Sequence, residues 1–543
     1  MKNHLTQYWA FPPTWLRFSI VMLLVMGIVF RFVNLDRKIY WMDEVYTSLR
    51  ISGYTEAEVA QELLEGRILS IQDLHKYQQL NSEKSVVNIV QGLAKEEPQL
   101  SPLYFILVRF WTQVFGDSVA AVRSFSAFLS LLAFPCLYWL CLELFETSLV
   151  GWLACALLAV SPFQLVYAQE ARQYSLWTVA ILLSSASLLG AIRVKTWRSW
   201  GIYAATVAVG LYSHLFFVLV AIAHAIYVFA INKCRWSKTV KAYFLSSLLV
   251  IFVFIPWIAV VLINYKQAFK MTAAQDINTP ILYFLKSWLG NLSRNFIDTG
   301  FSSSSPFAAP WPSLVFPSIS VLLIVALVTY SSYFLIRHTP KKTWLFILLL
   351  IGFTSLIIIL PDLILGRRTS VTGRYMIPVF LGVQLSVSYL FAERVSPTLA
   401  KNQNRYRKFW QVTLLALLTS GVISCAAVSQ ADTWWNNLTD TNNRQLAQII
   451  NQPSHPLVIQ EIDSSPPRYN VFNLISLSYL LKPDVKFKFI PKNTVTEIPQ
   501  EFSHVFFMSP SHVLKSGIEK KYKTKVEPVN QIQGNRLWKL VKS

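Results

Sequence analysis

The stretch Tyr40-Trp41-Met42-Asp43-Glu44-Val45-Tyr46 sets two adjacent acids among aromatic residues, directly after the first apolar run of the chain. Aromatic rings favour the edge of a bilayer, where their faces are buried and their polar edges stay wet. Carboxylates do not, so Asp43 and Glu44 require open water or polar partners, and ionisable groups at such a depth point to function. The plainer reading is a solvated loop after a membrane helix. On a helix the two acids would point about 100° apart, so both cannot face one hydroxyl.

The surrounding composition supports the membrane setting. Of 543 residues, 54% are hydrophobic and 14% charged, against about 25% charged in soluble domains. The formal charge of +21 is carried by short clusters between apolar runs, as the positive-inside rule and anionic lipid would produce. No zinc-finger spacing, Walker loop or glycine-rich fingerprint is present, so no nucleic-acid partner is expected. Cys136, Cys141, Cys155 and Cys425 lie in apolar runs and Cys234 in a basic loop, which implies no disulfide framework outside the membrane. The first apolar run is about 20 residues with no small-residue cleavage site after it, and reads as a retained span.

Apolar runs predict spans at 14–33, 119–141, 148–168, 174–192, 199–213, 215–231, 242–265, 313–336, 343–361, 374–392 and 409–429. Arg17 and Arg31, near the ends of the first, are expected to snorkel to the interface. The run 102–116 decides the topology, because counting it as a span reverses the side of every later loop. The loops 193–198, 233–241, 337–342 and 394–408 hold 15 Lys or Arg, and the alternating loops around 168–174, 213–215 and 361–374 hold four. Placing the first group in the cytoplasm requires that 102–116 not cross. The turn 142–147, with only Glu143 and Glu146 as charges, gives that assignment no support. The expected fold is therefore a polytopic α-helical membrane protein of about 11 transmembrane helices plus juxtamembrane helices. Residues 1–429 form the membrane domain, with outer loops at 34–118 and 266–312. Residues 430–543 form a small extracytoplasmic α/β domain, because strand-like runs at 457–460, 485–490, 504–508 and 536–541 alternate with helical ones.

Three outer loops collect polar residues. In Tyr167-Ala168-Gln169-Glu170-Ala171-Arg172-Gln173-Tyr174 a helix would put Gln169, Arg172 and Gln173 on one face; the alternative is a local Glu170–Arg172 pair. In Gly366-Arg367-Arg368-Thr369-Ser370-Val371-Thr372-Gly373-Arg374-Tyr375 three arginines stand on the side the positive-inside rule disfavours. Arginine forks suit phosphate oxygens, although a basic loop could simply meet lipid headgroups. His214 opens towards the same side, whereas His224, deeper in a span, reads as packing. A carboxylate for proton transfer and arginines for phosphate, above a body that can hold a lipid chain, fit a sugar on a polyprenyl phosphate. Its bond to phosphate is already activated, so one base suffices.

At these residues the chain resembles the GT-C superfamily of integral membrane glycosyltransferases, in its protein O-mannosyltransferase and aminoarabinose-transferase branch (family 39 type). The matching residues are Asp43-Glu44, Ser101-Pro102-Leu103-Tyr104, Gln169 to Tyr174, Tyr212-Ser213-His214, and Arg374-Tyr375 with Pro378, over roughly residues 15 to 395. The resemblance implies sugar transfer from a polyprenyl-phosphate donor to an acceptor hydroxyl, with inversion, on the extracytoplasmic side of a bacterial plasma membrane. It implies Asp43 as the catalytic acid/base with Glu44 beside it. The donor would meet Arg172, Arg367, Arg368, Arg374, Tyr375, His214, Gln169, Glu170 and Tyr104. Relatives often carry a basic residue before Pro-Pro-Leu-Tyr; here Leu100-Ser101-Pro102 takes that place, which shifts phosphate binding to Arg172 and the 367–374 loop. Some relatives bind a divalent metal near the acids and others do not. A metal beside Asp43 stays open, and no other cofactor is expected. The acceptor stays open among protein, lipid and polysaccharide. A transporter or flippase of a lipid-linked glycan is the competing reading, but polar residues gather on one face rather than along a path, and no internal repeat is visible.

Overall fold

The computed structural model describes residues 14–272, 279–300, 311–396, 404–437, 440–462, 470–529 and 536–541. Contacts divide the chain into a helical unit, residues 1–35, 97–104 and 123–431, and a second unit, residues 36–96, 105–122 and 432–543. The boundary expected after residue 429 falls after Ala431, but the first loop, expected with the membrane domain, groups with the tail.

In the helical unit, seven helices among the described residues are long and apolar enough to cross a membrane, from Val119–Phe145 to Arg405–Gln430. An eighth is reached if a bent pair counts as one span. Seven of the eleven predicted spans, or eight with the bent pair, meet this measure among the described residues. Thr14–Phe32, Trp197–Ser213 and Phe217–Ile231 are helices of 19, 17 and 15 residues, the last two being shorter than the roughly 20 residues of an upright span. A tight turn at His214 separates that pair. Gly210 makes it feasible, since an added Cβ would lie 2.4 Å from the Phe217 ring.

The predicted span 148–168 is broken. Ser148–Ala159 and Pro162–Ala168 meet at 63°, because Pro162 donates no hydrogen bond and Ser161 caps the second helix through Gln164 N–H. The break leaves carbonyls of the first helix without helical donors, which an apolar interior does not tolerate. Arg31 supplies the donors. Its Nη1 donates to Ala159 O at 3.0 Å and Gly27 O at 2.7 Å, its Nη2 to Leu158 O at 3.1 Å, and its Nε to Ser130 Oγ at 3.1 Å. Arg31 is 1% exposed, so the expected snorkelling does not occur. These carbonyls hold it inward.

The second unit contains a five-stranded sheet in the order β2-β1-β3-β5-β4. Its strands are β1 Leu457–Ile462, β2 Lys486–Pro491, β3 Val505–Met508, β4 Lys525–Pro528 and β5 Leu537–Val541. β1 runs parallel to β2 and β3, while β5 runs antiparallel to β3 and β4. The first loop completes this unit. Leu69 bridges to Phe487, Ile39 N–H donates to Asp432 O at 2.9 Å, and the Tyr46 and Phe472 rings lie 4.4 Å apart.

Leu103–Phe115 has 13 residues, about 20 Å of helix against a hydrocarbon core of about 30 Å. Its buried Arg109 donates to three loop carbonyls, Ile51 O at 2.5 Å, Asn81 O at 3.1 Å and Lys84 O. An arginine in an apolar run is thereby spent on holding the first loop together.

Candidate active site

Asp43 and Glu44 stand in the first turn of the helix Met42–Ser52, where exposed N–H groups favour anions. Trp41, at the cap position, makes no side-chain capping bond. The cap comes from the tail, where Asp440 Oδ2 accepts Met42 N–H at 2.7 Å. Glu44 is buried and Asp43 half-buried, so the helix gives the two acids different surroundings. Burial, with the Asp43 charge adding to it and the Met42 N–H opposing it, pushes the Asp440 carboxyl up to about 6. Sequence reasoning missed Asp440, because nothing local links it to a helix some 400 residues earlier.

The helical unit assembles a cationic, aromatic cluster. Residues 169–173 form a turn between Pro162–Ala168 and Tyr174–Val194, so the shared helical face expected for Gln169, Arg172 and Gln173 does not exist. The turn is fixed from both sides. Gln169 Nε2 donates to Phe30 O at 2.7 Å and Val33 O at 3.0 Å, and Arg172 N–H donates to Glu170 O at 2.7 Å. Ser126 Oγ donates to Arg172 O at 3.2 Å and pairs with Tyr104 OH at 2.7 Å, which brings the fully buried Tyr104 to this turn. Glu170 and Arg172 are both buried.

His214 stacks on Trp177 with ring centres 4.2 Å apart and planes 9° from parallel. Burial, and then the charges of Arg172 and Arg374, push its imidazole down to about 3. It is neutral at physiological pH, and Phe216 N–H donates to its Nδ1 at 3.1 Å. Nε2 therefore carries the proton and is a donor. Arg374 lies over the rings of Tyr174 and Tyr375 at 5.5 and 5.6 Å, within reach of a cation–π interaction. Two guanidiniums and an imidazole N–H beside aromatic walls form a site for an anion attached to an apolar or sugar group.

The three loop arginines separate. Arg374 joins the cluster. Arg368 turns to the helix Ile281–Arg294, donating from Nε to Thr279 Oγ1 at 2.7 Å and lying 5.4 Å from the Tyr283 ring, while Arg367 is half-buried. The loop is pinned by Ser370, whose N–H donates to Asp362 Oδ2 at 2.5 Å and whose Oγ accepts from Trp288 Nε1 at 2.9 Å, and by Asn291, which donates to Val371 O at 2.9 Å. Trp177, stacked under His214, was missed although it stands one helical turn beyond Tyr174. His224 bonds Ser185 Oγ at 3.2 Å and Tyr203 OH at 3.3 Å, as a packing residue does. Among the described residues no three His, Cys, Asp or Glu side chains gather to hold a metal ion. Asp43 and Asp440 do not by themselves fit a divalent metal.

Residues 97–260 match the dolichyl-phosphate-mannose-protein mannosyltransferase family, over less than a third of the chain. No curated protein matches the sequence. ArnT from Cupriavidus metallidurans in its apo state is similar in structure, with TM-score 0.53 and 12% identity over 96% of this chain and 97% of that one. The same protein bound to undecaprenyl phosphate matches with the same values. At this identity the likeness shows the fold alone.

Proposed function

We propose that this protein transfers a sugar from a polyprenyl-phosphate donor to an acceptor hydroxyl, with inversion, on the extracytoplasmic face of a bacterial plasma membrane. The observation that carries the reading is the grouping of Arg172, Arg374 and neutral His214 against aromatic rings. The acceptor oxygen attacks the anomeric carbon, the bond from that carbon to the phosphate oxygen breaks, and the phosphate leaves with the electron pair. Arg172 and Arg374 stabilise the departing charge, so the leaving group needs no proton. The acceptor proton passes to Asp43 as general base, with Glu44 orienting the acceptor or bonding a neighbouring loop. The family match at residues 97–260 and the undecaprenyl phosphate held by ArnT support this donor class.

The test is release of free polyprenyl phosphate from a labelled lipid-linked sugar by the purified protein. Asp43→Asn keeps size and polarity but removes the proton acceptor. It is expected to bind donor normally and turn over about 10²- to 10⁴-fold more slowly. Wild-type turnover in Asp43→Asn removes Asp43 from the mechanism. Passage of intact lipid-linked glycan across a bilayer, without release of the phosphate, replaces the enzyme with a flippase.

A further inference from the structure

A groove of about 580 Å³ is lined by the helices Trp197–Ser213 and Lys238–Ile263. Lys195 and Lys238 stand at its mouth, where both helices begin, and no carboxylate lines it. The exposed Trp197 and Trp236 lie at the same end, as tryptophans do at headgroup depth. Leu245 and Leu249 follow about 10 and 16 Å further down the second helix. They are 66% and 52% exposed, on a helix of mean hydropathy 2.8. The opposite wall carries Trp197 and Trp200 and is low where Gly201 and Ala204 follow, and a Cβ added at Gly201 would meet nothing within 4 Å.

We propose that this groove holds one anionic phospholipid from the surrounding leaflet, with its phosphate between Lys195 and Lys238 and an acyl chain along Gly201, Ala204, Leu245 and Leu249. Charge selects the occupant. An apolar trough at membrane depth is filled by hydrocarbon, and two ammonium groups at its headgroup end favour a phosphate without a compensating cation. A neighbouring apolar helix would fill the trough but leave both lysines unmatched. The loops at this end are the basic ones of the positive-inside pattern, which would face the more anionic leaflet. The site is independent of the sugar-transfer reading and uses none of its residues.

The full-length protein, stripped of lipid in detergent, is titrated with phosphatidylglycerol carrying a photoactivatable group midway along one acyl chain. Crosslinks are expected within 201–204 and 242–249, and the phosphatidylcholine counterpart is expected to label more weakly. Lys195→Gln combined with Lys238→Gln is expected to weaken labelling by about thirtyfold, at about 1 kcal/mol per lysine. Gly201→Leu fills the trough while leaving both lysines, and is expected to abolish labelling without changing the melting temperature. Equal labelling by phosphatidylcholine, labelling that survives both variants, or displacement by inorganic phosphate alone would each overturn the proposal.

Discussion

Asp440 caps the helix that carries Asp43, yet burial raises its own carboxyl from the ordinary aspartate range to about 6. A raised folded-state value means that its contribution to stability is present below about pH 4 and is lost as pH rises through about 6. Asp440→Asn retains an oxygen for Met42 N–H and removes the titration. The melting temperature of the variant relative to wild type is therefore expected to rise between pH 4 and 6 and level off above. A difference that stays flat across that window would show that Asp440 is charged throughout. Arg374 offers a test of a different kind, because its guanidinium lies over two aromatic rings. Arg374→Lys keeps the charge and loses planar pairing and ring contact, so the donor Michaelis constant is expected to rise about tenfold, or about 1.4 kcal/mol. An unchanged constant in both Arg374→Lys and Arg374→Ala would remove this arginine from donor binding.

The broken helix 148–168 depends on a residue from another helix. Removing the Arg31 guanidinium takes the donor from Ala159 O and leaves Leu158 O with only a long bond of 3.4 Å from Ser161 N–H. Each such loss is worth about 1–3 kcal/mol. Arg31→Met preserves much of the buried volume and is expected to lower the melting temperature of the detergent-solubilised protein by several degrees. Gly27→Ala acts on the same contact by another route, since its Cβ would stand 2.7 Å from Ala159 O. Wild-type melting in both variants would mean that Pro162 and Ser161 hold the break unaided.

The second unit is built from three separated stretches of chain, and its stability is expected to be shared among them. Tyr46 meets Phe472, Leu69 pairs with Phe487, and His75 bonds Ser478 at 2.9 Å. Ending the chain at Ala431 removes every one of those partners. Limited proteolysis of that truncated protein in detergent is expected to cut within 36–96 at least ten times faster than in the full chain, while fragments of 174–263 persist as before. The factor of ten corresponds to about 1.4 kcal/mol of lost protection. Equal cutting rates would show that residues 36–96 and 105–122 fold without the tail.

Apolar run length and loop charge by themselves determined that this is a helical membrane protein, strand-like runs marked four of the five strands of the tail, and polar residues in apolar surroundings drew attention to 43–44, 169–174, 214 and 366–375. These features are legible because burial in hydrocarbon and strand alternation impose local patterns. The sequence also singled out Arg172, His214 and Arg374, whose polarity is conspicuous in apolar surroundings. Only the tertiary structure decided that Arg368 turns away while Arg374 joins the cluster, since one loop carries both and only its pins at Asp362, Trp288 and Asn291 aim them. The break at 160–161 was hidden because an apolar run looks the same whether straight or bent, and the donors that stabilise the bend come from Arg31. The role of Asp440 was equally hidden. A capping bond depends on nearness in space, and its donor and acceptor lie 398 residues apart.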